Sequence, residues 1–299
     1  MYCTALAAQY MLRLLGLVSK VYSMLGLNSN IFWMIHRVHT TFADDLGNLK
    51  RGYGTGFWLT YSQDKSIFVT NKHNVDPSIK FPDKPALRLH ELSIELRHYE
   101  SGLPTEYTEF FIIDNIKDCL FSSSIADCSI LVEPKFSKQT PSDPNRGILK
   151  AEDLISETMF FNNLIIGPME TAFFVGFPGS DGRHWWDEKW KLPIARQCTV
   201  ASLPQISFTN DEIKTCDVIL VSGLSFSGSS GSPVFLAARG FRPGGDIDDP
   251  TWRPALLAGI MSGHFWEPTS VPRMFQQHSG LSYMTRSTSI LHLLKEIGV

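Results

Sequence analysis

Three residue types in this chain can do nucleophilic chemistry together. Ser230 lies in Ser225-Phe226-Ser227-Gly228-Ser229-Ser230-Gly231-Ser232-Pro233-Val234-Phe235, a small-residue turn that runs straight into an apolar strand. The glycines on either side allow positive φ and let backbone N–H groups turn inward. A hydroxyl on such a bend is exposed, with donors aimed at any oxyanion that forms beside it, which suits acyl transfer. A serine hydroxyl is a weak nucleophile until a base takes its proton, and that base works best when a carboxylate orients it. The chain offers His73 at the end of one apolar run and Asp127 at the start of another, so the order is His, Asp, Ser. Asp114 and Asp118 are the other acids that could partner the histidine.

The surrounding pattern predicts what must hold these groups. Leu6, Tyr10, Leu14, Leu17, Val21 and Leu25 recur at steps of three and four, the mark of an amphipathic helix over residues 1–30. No basic residue precedes this run and Arg13 interrupts it, so it reads as neither signal peptide nor membrane span. A helix packed on the body, or one that meets a membrane surface or partner, is expected instead. From Ile31 the texture is β. Strands are expected at 31–38, 55–60, 66–70, 87–99, 107–113, 125–132, 171–177, 194–203, 217–221, 233–238 and 255–261. Residues 135–149 are rich in Pro, Ser, Asp and Asn and read as a linker. A tryptophan-rich loop over 182–191 is a candidate to cover the site, and 287–297 reads as a closing helix.

Composition narrows the class. The chain has 299 residues, 43% hydrophobic and 19% charged, with net charge −3, as expected for globular protein with a well-filled core. No basic stripe argues for nucleic acid. The five cysteines, Cys3, Cys119, Cys128, Cys198 and Cys216, form no metal-ligand spacing and read as reduced thiols, hence a cytoplasmic location. Cys198 and Cys216 could pair only in an oxidising compartment. Of the nine histidines, His36 and His39 stand three apart on a strand and its exit, and no ligand cluster forms. No cofactor or metal is expected.

Six short segments, in order, resemble the chymotrypsin-fold serine peptidases, in particular the bacterial-type trypsin-like branch. They are Gly54-Thr55-Gly56-Phe57, Val69-Thr70-Asn71-Lys72-His73, Asp127-Cys128-Ser129-Ile130-Leu131, Val175-Gly176-Phe177-Pro178, Gly228-Ser229-Ser230-Gly231-Ser232-Pro233 and Gly259-Ile260-Met261-Ser262-Gly263. The likeness spans residues 50–264. It implies an all-β fold of two six-stranded antiparallel barrels, with an N-terminal helical extension over 1–40, a first barrel over 41–150 and a second barrel with a C-terminal helix over 151–299. His73 and Asp127 would come from the first and Ser230 from the second, acting as a serine endopeptidase on protein or peptide substrates. The N–H groups of Gly228 and Ser230 would form the oxyanion hole. Leu224 and Ser225 would sit at the base of the first substrate pocket, with Ser262, Gly263 and His264 along its wall. With no carboxylate near Leu224, an apolar or small substrate side chain is expected there, the alternatives for His264 being a rim position or contact with an acidic side chain.

This chain also departs from the family. Ser229 replaces the acid that pairs with a freed N-terminus in digestive members, so activation by that route is not expected. The competing expectation is a protease-fold scaffold that binds peptides or proteins without cutting. An α/β hydrolase is excluded because the turn lacks the second glycine of the Gly-x-Ser-x-Gly elbow and no β/α alternation is present.

Overall fold

In the computed structural model the described residues are 29–62, 65–144, 146–163, 165–180, 183–213, 215–240, 251–267 and 277–298. The helix expected over residues 1–30 lies almost wholly outside them. Where it would end, Ser29–Trp33 forms a single 3-10 turn, and the first strand begins only after it.

The first half contributes seven strands, β1 (Ile35–Ala43), β2 (Leu49–Ser62), β3 (Lys65–Thr70), β4 (Arg88–Glu100), β5 (Leu103–Ile112), β6 (Leu120–Ser122) and β7 (Ser129–Val132). They form one antiparallel sheet in the order β5-β4-β1-β2-β3-β7-β6. This corrects the expectation of two six-stranded barrels, because the first sheet is not closed. The chain leaving β7 returns to the end of β5, with a bridge between Ile113 and Phe136 and hydrogen bonds from Ser137 N to Ile112 O (3.0 Å) and from Asp114 N to Lys135 O (2.9 Å), but the edge strands β5 and β6 do not pair. β6 is three residues long, and the chain leaving β7 runs into Pro134, which has no N–H to offer a ladder.

The second half contains β8 (Thr171–Gly176), a two-residue hairpin of β9 (Gly179–Ser180) and β10 (Arg183–His184), then β11 (Ile194–Val200), β12 (Val218–Ser222), β13 (Pro233–Leu236), β14 (Leu256–Trp266) and β15 (His278–Arg286). Six of these close into a barrel in the order β11-β12-β15-β14-β13-β8. The closing helix spans Thr288–Glu296.

Strand alternation explains why the barrel strands read as unbroken apolar runs. In β8, Ala172 and Phe174 point into the barrel beside Val234 and Leu236 of β13. Their neighbours Phe173, Val175 and Phe235 point outward into the larger core shared with the first sheet. The rings of Phe173 and Phe235 lie 5.7 Å apart there. Ile290, Leu293 and Leu294 of the closing helix join that same core, so the chain's last element helps bind the two halves together.

Candidate active site

Asp127 does not stand on a strand as its sequence pattern suggests. The strand begins only at Ser129, because the Ser123 hydroxyl accepts the N–H groups of Ile125 (3.3 Å) and Ala126 (3.1 Å) and bends the chain. Two residues of the adjoining segment clasp this bend. The Asn71 side-chain amide donates to Asp127 O (2.7 Å), and the Lys72 ammonium to Ser123 O (2.9 Å). The same segment turns into the helical residues Lys72–Val75, which carry His73. The Asp127 carboxylate then meets His73 twice. Oδ2 lies 2.7 Å from ring Nδ1, and Oδ1 accepts the His73 backbone N–H at 2.9 Å. Asp127 is buried and His73 half-buried. Asp118 lies instead in the short helical turn Ile116–Cys119, and the Asp114 N–H donates to Lys135 O.

Ser230 arrives from the barrel on a loop wired to the first sheet. Ser229 N donates to Phe226 O (2.9 Å) and Ser232 N to Ser229 O (3.0 Å), two successive tight turns. Gly228 and Gly231 take φ of +87° and +93°, conformations that favour glycine. Thr55 joins the halves here. Its N–H donates to Ser230 O (2.7 Å), and its hydroxyl donates to Gly228 O (2.7 Å) and accepts the N–H of Phe177 (3.1 Å). Asn74 adds a second donor to Ser230 O (3.1 Å). Among the described residues, the N–H groups of Gly228 and Ser230 donate to no acceptor, and no hydrogen bond reaches Ser230 Oγ. Ser229 is buried, and its hydroxyl faces the N–H of Phe226 at 3.5 Å, so this turn is tied locally.

His73, Asp127 and Ser230 face one cleft of about 570 Å³. Ser225, Ser262, Gly263 and His264 line it as well. Ser262 Oγ accepts from Asn71 (3.0 Å) and lies 2.8 Å from Thr285 Oγ1. The Ser225 hydroxyl donates across the pocket to Gly263 O (3.3 Å). His264 stacks on His278 at 4.5 Å. Burial lowers the pKa of His278 below the ordinary histidine value, and its Nδ1 accepts the Gly280 N–H (2.9 Å). Leu224 is a correction: it is 43% exposed and does not line the cleft. Beside it Ser225 is buried, its N–H donating to Ser282 Oγ (3.2 Å) and its hydroxyl to Gly263 O.

The tryptophan-rich loop is also placed differently from its sequence expectation. Trp186 lies beneath the Arg37 guanidinium at 4.3 Å, and Arg97 donates to the carbonyls of Trp190 and Lys191. The loop is thereby strapped to the first sheet. Among the described residues of the loop, Trp185 meets the cleft-lining Phe226 at 4.8 Å between ring centres.

Sequence reasoning gave no role to Thr55, Asn71 or Asn74. All three lie inside or beside the segments that carry the family likeness, and buried polar residues there signal hydrogen bonding to the site's backbone. A second, larger cleft of about 760 Å³, lined by Thr60, Lys65, Glu133 and Lys150 among others, holds none of these residues.

No family model and no curated protein matches the chain. Among solved structures it is similar to the HtrA-type protease AlgW with a tripeptide, at 12% identity and TM-score 0.50, over 92% of this chain and 63% of the other. A variant of that protease with a decapeptide aligns at 12% identity and TM-score 0.49, over 90% of this chain and 64% of the other. The chain thus spans less than two thirds of the length of either. At this identity the likeness is one of fold, and the chain has the chymotrypsin-like fold of trypsin-type peptidases.

Proposed function

We propose that this protein is a serine endopeptidase in which His73 takes the proton of Ser230, Asp127 holds the imidazole, and an acyl-enzyme forms and is hydrolysed. The observation that carries the reading is the 2.7 Å pairing of His73 Nδ1 with Asp127, in a cleft that Ser230 also lines. A proton on Nδ1 leaves Nε2 as the base, and the carboxylate stabilises the imidazolium that results. The unspent N–H groups of Gly228 and Ser230 support a role in binding the oxyanion. The substrate is a protein or peptide segment. The hydroxyls of Ser225 and Ser262, with Met261 and Tyr283 beside them, favour a small or apolar side chain next to the scissile carbonyl.

One observation favours a second reading, a scaffold that binds without cutting. The Ser225 hydroxyl bridges to Gly263 O across the pocket that the substrate side chain would enter. Fluorophosphonate labelling of the wild type beside Ser230→Ala and His73→Ala separates the two. Labelling lost in both variants supports the peptidase. A folded wild type that takes no label supports the scaffold.

A further inference from the structure

The cleft around Ser230 contains a cation that acyl transfer does not use. Lys80 ends the short helical turn Pro77–Lys80, seven residues beyond His73, and lines the cleft together with Ile79 and Pro82. Its side chain is half-buried. The ammonium rests over Gly52 of β2, where an added β-carbon would come within 2.8 Å of Lys80 Nζ and 2.5 Å of Thr40 Oγ1. The absence of a side chain at Gly52 is therefore what leaves the ammonium its place.

No carboxylate offsets this charge. Among the described residues Lys80 makes no ion pair. Asp127, on the cleft floor, is committed to His73, and Asp76, on the same short turn, accepts from Ser78. Glu212, the other acid lining the cleft, makes no ion pair with Lys80 among the described residues. Burial alone acts on the ammonium and draws its pKa down to about 8. An unpaired cation in a half-buried site is unfavourable unless something else supplies its counter-charge.

We propose that Lys80 binds a substrate carboxylate on the leaving-group side of the scissile bond. The inference rests on the peptidase reading. The side follows from the chemistry: His73 gives its proton to the departing amine, so the leaving chain passes His73. Lys80 stands on that same wall of the cleft, the one contributed by the first sheet, whereas Ser262–His264 belong to the barrel. The carboxylate is either an acidic side chain within the first few residues after the cleaved bond or the free C-terminus of a short leaving peptide.

Internally quenched peptides with one fixed sequence before the cleaved bond provide the test. One set carries Glu, Gln or Lys at each of the three positions after the bond, and a shorter set ends there as free acid or amide. A side-chain carboxylate predicts kcat/KM about tenfold higher for Glu than for Gln, and lowest for Lys. A terminal carboxylate predicts free acid over amide by a similar factor. Whichever ratio is found falls to about one in Lys80→Met and survives in Lys80→Arg, with thermal melts establishing folded protein and Lys80→Gln as the alternative neutral variant. Equal rates within both sets for the wild type, or a ratio that persists without the charge, overturns the proposal. If the wild type cleaves nothing and takes no fluorophosphonate label, the peptidase reading fails by itself. Lys80 is then judged by fluorescence anisotropy of fluorescein-labelled Glu-containing and Gln-containing hexapeptides on Ser230→Ala protein. A preference for Glu that Lys80→Met abolishes upholds carboxylate binding at Lys80, and equal binding overturns it.

Discussion

A serine hydroxyl attacks a carbonyl only if its proton has somewhere to go, and by the peptidase reading proposed above a single carboxylate sets that direction. Asp127 accepts from both the ring and the backbone of His73, which fixes imidazole tautomer and orientation together. Asp127→Asn keeps the shape and the backbone contact but invites the wrong tautomer. We expect kcat to fall by about 10³–10⁴-fold with KM little changed, measured on any cleaved peptide. Lys80 gives a prediction in the opposite sense. Its ammonium loses hydration on folding, so its folded pKa, about 8, lies below the ordinary lysine value. The folded state binds this proton less tightly than the unfolded chain, so the penalty is present in full below pH 8 and disappears as pH rises toward the unfolded pKa of about 10.4. Lys80→Met is therefore expected to raise Tm at pH 7, with the gain over wild type shrinking in melts taken at pH 9 and 10. A lower Tm at pH 7 would contradict the desolvation argument. A residue that burdens the fold in this way is characteristic of sites kept for binding.

At the scale of elements, the Ser230 loop depends on close approach between segments from different halves. Gly231 stands at φ +93°, and a β-carbon there would lie 1.8 Å from Thr55 O. The backbone conformation and the contact both exclude a side chain. Gly231→Ala is expected to shift Ser230 within the cleft, abolishing fluorophosphonate labelling and lowering Tm by several degrees, while far-UV circular dichroism stays close to wild type. Retained labelling would mean that the loop moves as a unit. This loop was readable from the chain because small residues, positive-φ glycines and an apolar strand are all neighbours in sequence. The Asp127 element was not. Its apolar pattern suggests a strand from Ile125, but the Ser123 hydroxyl competes for two backbone N–H groups and delays the strand to Ser129.

For the whole molecule, catalysis by this reading needs two sheets held in register, since His73 and Asp127 come from one and Ser230 from the other. The bond between them is largely apolar. Phe173 and Phe235 of the barrel stack in a core that also contains Ile35, Val38 and Phe57 of the first sheet. Phe173→Ala removes a buried aromatic ring from this seam. It is expected to cost about 3–5 kcal/mol in denaturant unfolding and to reduce labelling of Ser230 even where the protein remains folded. Unchanged labelling in folded variant would show that the polar ties through Thr55 and Asn74 suffice.

Local pattern in the chain accounts for much of this molecule. The β texture, five of the six barrel strands, the closing helix and the choice of His73, Asp127 and Ser230 as candidates follow from neighbours a few positions apart, where periodicity and turn chemistry act, whereas the sixth barrel strand, β15, is not among those the sequence pattern predicts. Other features depend on groups distant in sequence. The first sheet stays open where its edge strand β6 is only three residues long. Leu224 is exposed while its neighbour Ser225 is held by Ser282 and Gly263, and the tryptophan loop lies against Arg37 and Arg97 of the first sheet. The solitary charge of Lys80 is of the same kind. No motif in the sequence singles it out, and the packing of a turn after His73 over Gly52 takes it out of water with no ion-pair partner among the described residues. Desolvation is a property of everything that surrounds a group, and no run of adjacent residues encodes it.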